Sequence, residues 1–149
     1  MNLLSKLSLA AGLLALVSSG AVLASGEKGL VDNYAANGTF HSSMQSTIAQ
    51  VTAITGDVFS PSVQLVGNTY TLAFSYPVGI PSSSGEIDFT VNQMNVAQAK
   101  SCAYVVKIDA SQQTMTFSQD KLHSSATCAL LGDNVVSLSS YTLPTISLD

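Results

Sequence analysis

Apolar and polar positions alternate in two different rhythms along this chain. Phe40, Met44, Ile48, Val51 and Ile54 recur at steps of three and four. That spacing predicts an amphipathic helix over residues 40–55, with Ser43, Gln45, Ser46 and Gln50 on its polar face. Gly56-Asp57 supplies the stop. Beyond Val58 the period shortens to two. Residues 62–66 and 69–76, with Tyr70, Leu72 and Phe74 on one face, flank Gly67-Asn68 and predict a hairpin. Residues 77–85, PVGIPSSSG, read as an exposed loop. A strand follows over 86–92, then a short helix over 95–108 opened by Asn95. A strand over 113–118 and a polar loop over 119–127 come next. Gly132-Asp133-Asn134 is a turn, and a last strand runs over 135–143 until Pro144 ends it. The predicted class is α+β, a helix packed on one face of an antiparallel sheet.

Ahead of this domain the pattern changes again. Between Leu7 and Ala24 there is no charged residue. One reading is a secretory signal peptide. Lys6 is its basic flank, residues 7–17 its apolar stretch, and Val22-Leu23-Ala24 places cleavage before Ser25. The other reading is a retained helical stem, since eighteen uncharged residues at about 1.5 Å each just reach across a bilayer core. Its assembly surface is Leu3, Leu4, Leu7, Leu9, Leu13, Leu14, Leu16 and Val17. Residues 25–39, punctuated by Gly26, Gly29 and Asn37-Gly38, read as a flexible connector. The chain thus divides into 1–24, 25–39 and a globular domain over 40–149. Asn37-Gly38-Thr39 also matches the glycosylation acceptor pattern.

Charge narrows the function classes. Only 9% of the 149 residues are charged, there is no arginine, and the net charge is −4. Removing residues 1–24 removes Lys6 and takes it to −5. Such a chain has no phosphate-binding footprint, so no nucleic-acid partner is expected. Solubility rests on Ser, Thr, Asn and Gln, which suits exported proteins and closely packed subunits. In that setting the two cysteines, Cys102 and Cys128, are expected to form one disulfide. They lack chelate spacing, so no metal site is expected.

Candidate chemistry is sparse. No nucleophile elbow, zinc-protease motif or phosphate loop occurs, and nothing calls for a cofactor. His41 and His123 are the only imidazoles. Glu86 and Asp88 share one strand face and read as an acidic edge that discourages strand pairing. The expectation is a protein without enzymatic activity.

Residues 85–106, GEIDFTVNQMNVAQAKSCAYVV, resemble the C-terminal domain of type IVb pilins, including the PilS-type conjugative pilins. In those proteins a strand leads to a helix carrying one cysteine, and a second cysteine closes the exposed D-region. Cys102 and Cys128 match those roles. Residues 1–4 and 16–22 are also similar to the start of a processed pilin, with Ser5 where the family usually carries glutamate. The resemblance implies a major or minor pilin of an extracellular, cell-surface type IV pilus-like filament. Such a subunit sits in the inner membrane before assembly. It then packs against itself, and against other pilins or a surface receptor, with its apolar helix in the filament core. The alternative is a soluble secreted or periplasmic binding or adhesion module, exported by a cleaved signal peptide. Its contact surface would be the PVGIPSSSG loop or the Cys102–Cys128 disulfide loop.

Overall fold

The strands of the domain form two five-stranded sheets, laid face to face. The computed structural model describes residues 30–44, 46–80 and 82–149, and within these Val31–Asp149 is one compact unit. The strands are β1 (Val31–Ser42), β2 (Thr47–Gly56), β3 (Phe59–Val66), β4 (Thr69–Pro77) and β5 (Ser84–Gln93). They continue with β6 (Ser101–Asp109), β7 (Thr114–Asp120), β8 (Leu130–Leu131), β9 (Val135–Ser137) and β10 (Thr145–Leu148). The first sheet has the order β3-β4-β1-β10-β8 and the second β2-β5-β6-β7-β9. All pairings are antiparallel except β1 with β10, where Phe40 sits opposite Ile146 in a parallel register.

The α+β expectation is therefore wrong: no helix occurs among the described residues, and the class is all-β. The amphipathic helix over 40–55 is replaced by the end of β1, a short loop and β2. A β-bulge between Val51 and Ala53 explains the misleading period. Ala49 and Val51 pack against the core, the bulge inserts one residue, and Ile54 then lands opposite Ile87. That resets a period of two into steps that imitate a helix. The β-branched side chains of Thr47, Ile48, Val51, Thr52, Ile54 and Thr55 favour a strand in any case.

The helix over 95–108 is also a correction. Asn95 has φ +64°, outside the right-handed helical region, and Ser101 onward is strand. There Cys102, Tyr104, Val106 and Ile108 alternate into the core. Residues 31–39, assigned in sequence to a connector, pair along β4 from Val31–Pro77 to Thr39–Thr69. Only Val135–Ser137 of the last expected strand is strand, and β10 begins after Pro144 instead of ending there. The β3–β4 hairpin at Gly67-Asn68, the strand around 86–92 and the loop after Pro77 stand as read.

The core is built from alternate side chains of both sheets. Tyr34, Phe40, Tyr70, Leu72 and Phe74 come from the first, and Ile87, Phe89, Tyr104, Val106 and Phe117 from the second. Tyr70 stacks on Phe89 across the interface, centroid to centroid 6.4 Å, and Phe89 stacks on Tyr104 at 5.4 Å. Gly38 faces Tyr70 across the β1–β4 ladder, and the Tyr70 ring fills the space a Cβ would need. A glycine that looks like a breaker is thus a packing surface for an aromatic ring.

Three buried tyrosines hold the C-terminal segment. Tyr34 donates to Ser140 O (2.6 Å), Tyr70 to Pro144 O (2.5 Å) and Tyr104 to Ser147 O (2.7 Å). Burial pushes the Tyr34 and Tyr104 phenols up to about 12 and raises Tyr70 further. Because the unfolded phenols ionise near 10, this contribution is fully present below pH ~10 and is lost as pH rises through the folded values. Urea unfolding midpoints should therefore fall steeply between pH 10 and 12, and Tyr104→Phe should flatten that fall. An equal slope in wild type and variant would refute the link.

Cys102 and Cys128 form a disulfide that joins β6 to the segment before β8. It closes a loop with a sequence separation of 26. Chain entropy for a loop of that length is worth roughly 3 kcal/mol. The Cys102→Ser/Cys128→Ser variant should lose about that much in equilibrium urea unfolding, and a loss below about 1 kcal/mol would show that the crosslink adds little.

Candidate contact surface

One end of the sandwich collects the start of β1, the β2–β3 corner, the β4–β5 loop and the β6–β7 turn. Gly56, at φ +74°, turns the chain out of β2, and Asp57 N then donates to Ser84 O at 2.8 Å. The β4–β5 loop is anchored at its base. Ser83 is buried, and its carbonyl accepts from Ala110 N at 3.1 Å. Its tip, Val78-Gly79-Ile80, projects into solvent.

This end carries the largest share of exposed apolar side chains among the described residues. Val31, Ile54, Phe59, Val78, Ile80 and Tyr141 lie here. Val66, Met94, Val96 and Leu122 occupy the opposite end. Phe59 is 47% and Ile80 45% exposed, so each keeps about half of its surface available to a partner. Tyr141 lies beside Tyr34 with centroids 6.3 Å apart.

Carboxylates rim this apolar end. Tyr76 donates to Asp32 Oδ2 at 3.4 Å, and burial with the nearby Asp32 charge raises the phenol. Asp109 accepts from Ser111 Oγ (2.6 Å) and from Gln112 N (3.0 Å), which lowers its carboxyl below the usual range. Asp57 completes the rim. This end thus combines exposed apolar side chains with the carboxylates of Asp32, Asp57 and Asp109, and exposed Lys107, opposite Glu86, lies close by.

A second feature lies on the outer face of the second sheet. Thr52, Asp88, Thr90, Asp120 and His123 line a shallow cleft of about 300 Å³. Glu86 and Asp88 do share a strand face, but β5 is an interior strand, so they form no protective edge. One oxygen of Asp88, Oδ1, is buried without a hydrogen-bond partner. His123 Nδ1 lies 2.6 Å from Asp120 Oδ2, and Asp120 Oδ1 accepts from Leu122 N and His123 N. The same carboxylate therefore caps the turn after β7, a structural use that accounts for its contacts.

The remaining sequence candidates are dispersed. Asn37 lies in mid-strand, exposed, with its Oδ1 accepting from Thr71 Oγ1 at 2.7 Å. His41 is exposed at the end of β1. The segment before Cys128 is tied back to β6: Ala103 N donates to Ser124 Oγ and Ser101 N to Ser125 Oγ. Leu3, Leu4, Leu7, Leu9, Leu13, Leu14, Leu16 and Val17 lie outside the described residues. The apolar end escaped sequence reading because its members are scattered between Val31 and Tyr141. Only the strand register brings them together.

Comparison with protein-family models, with characterised proteins and with solved structures found no match for this chain.

His123 is the leading cause of the lowered Asp120 carboxyl. A depressed carboxylate stabilises the fold above its unfolded value, and that contribution disappears as pH falls through the folded value. In an NMR titration the Asp120 midpoint should lie below that of an ordinary aspartate and move upward in His123→Ala. An unchanged midpoint would remove the pair as its cause.

Proposed function

We propose that this chain is an exported binding module that contacts its partner through the apolar loop end of the sandwich. The observation that carries this reading is the gathering of Val31, Phe59, Val78 and Ile80 at one end of a rigid two-sheet frame. Loops on a stiff scaffold are where β-sandwiches place recognition. The acidic rim favours a partner with an apolar contact and cationic groups around it. Two further features agree with export: the Cys102–Cys128 disulfide, which belongs in an oxidising compartment, and the signal-like character of residues 1–24.

A pilus-type filament places a continuous helix in its core. The amphipathic helix expected over 40–55 is strand and loop here, so among the described residues no helix supports that reading.

Fully burying one large apolar side chain contributes roughly 1.5–3 kcal/mol. Three half-exposed ones offer about half of that each. The Phe59→Ser/Val78→Ser/Ile80→Ser variant should thus bind at least tenfold more weakly than wild type at a temperature where circular dichroism shows both still folded, its unfolding midpoint being lowered by loss of the buried halves of the same side chains. The measurement is biolayer interferometry of the exported protein against a defined panel of cationic-apolar peptides, neutral polysaccharides and surface glycoproteins. Binding by wild type that the triple variant retains in full would move the contact elsewhere. The N-terminal residue of the natural protein tests the export half, with Ser25 expected.

A further inference from the structure

Among the described residues the two sheets have four edges: β3 and β8 in one, β2 and β9 in the other. Three are blunted against further pairing. β8 has two residues and β9 three. β3 carries Pro61 and an irregular register between Phe59 and Ser62. β2 is different. It runs for ten residues, TIAQVTAITG, with no proline and no charge. Its one protective device is the bulge at Thr52, whose hydroxyl donates to Asp88 O at 3.2 Å. An uninterrupted run from Thr47 to Val51 is left on one side of it.

We propose that β2 pairs with β2 of a second copy of this chain, antiparallel and about a two-fold axis. Charge selects both the partner and the direction. No ionisable side chain lies in either strand, so like meets like without repulsion, and a net charge of only −4 adds little at longer range. The fixed charges around it are Asp57, just past the end of β2, and Glu86 and Asp88 on β5, opposite Thr55 and Ala53, all towards one end of the strand. Parallel pairing would set the two Asp57 carboxylates side by side. Antiparallel pairing separates them by about the strand length, roughly 30 Å. The pair would cover Ile54, exposed on this strand, and join the two second sheets into one of ten strands, within the usual range for open sheets. Strand addition of this length buries less area than a standard stable interface, so a micromolar dimer is expected. This surface shares Ile54 with the apolar end but excludes Phe59, Val78 and Ile80, so the triple serine variant at those positions tests the loop contact without touching β2.

Gln50 and Ala53 are both exposed on β2. Sedimentation velocity of the exported protein between about 1 and 200 μM should show a monomer–dimer equilibrium. Gln50→Lys/Ala53→Lys should weaken it more than tenfold, while Gln64→Lys on the β3 edge leaves it intact. In wild type, hydrogen exchange at β2 amides should slow as concentration rises, a readout that needs no variant. A wild-type monomer at 200 μM, a dimer that tolerates both lysines, an equal loss with Gln64→Lys, or exchange at β2 that ignores concentration would each overturn the proposal.

Discussion

The structure depends on buried phenol groups that reach backbone carbonyls of the last part of the chain. β10 lies between β1 and the two-residue β8, and much of the stretch leading into it, residues 138–144, is irregular. Such a segment has few ladder bonds of its own. Tyr34, Tyr70 and Tyr104 supply the missing donors at Ser140, Pro144 and Ser147. Each hydrogen bond contributes only about 1 kcal/mol net, but an orphaned buried carbonyl or phenol would cost roughly 1–3 kcal/mol. The three rings also form the wall between the sheets. One residue type therefore packs the core and fixes where the chain ends.

That arrangement explains several local choices. Gly38 is required because the Tyr70 ring lies over it. The parallel meeting of β1 and β10 joins residues about a hundred positions apart, and such pairing comes late in folding because its loop-closure cost precedes its reward. The Cys102–Cys128 disulfide ties the approach to β8 and β10 onto β6. It lowers the entropy of the unfolded chain around a segment that is largely irregular in the fold.

The same frame separates possible functions by location. Loops at one end present apolar side chains inside a rim of carboxylates. One long edge presents uncharged backbone. The outer cleft holds Asp88, Asp120 and His123, but its histidine and one carboxylate are engaged in capping a turn. A protein with so little charge cannot rely on long-range steering, so recognition falls to shape and apolar contact.

Sequence by itself determined the features with short-range causes. Gly67-Asn68 makes a hairpin because two residues suffice to reverse a strand. Residues 86–92 alternate cleanly, and β5 is where they place it. The cysteine pair is bonded, as its sequence reading expects. Tertiary structure decided what depends on partners distant in sequence. Residues 40–55 look helical until the bulge at Thr52 is seen against Asp88, because an inserted residue turns alternation into a false helical period. Residues 31–39 look like a linker until β4 and Tyr70 give their glycine and asparagines something to pair with. The apolar end exists only once the strand register gathers side chains drawn from Val31 to Tyr141. Periodicity reports the neighbours a residue has along its own strand, and here the deciding neighbours lie across the sheets.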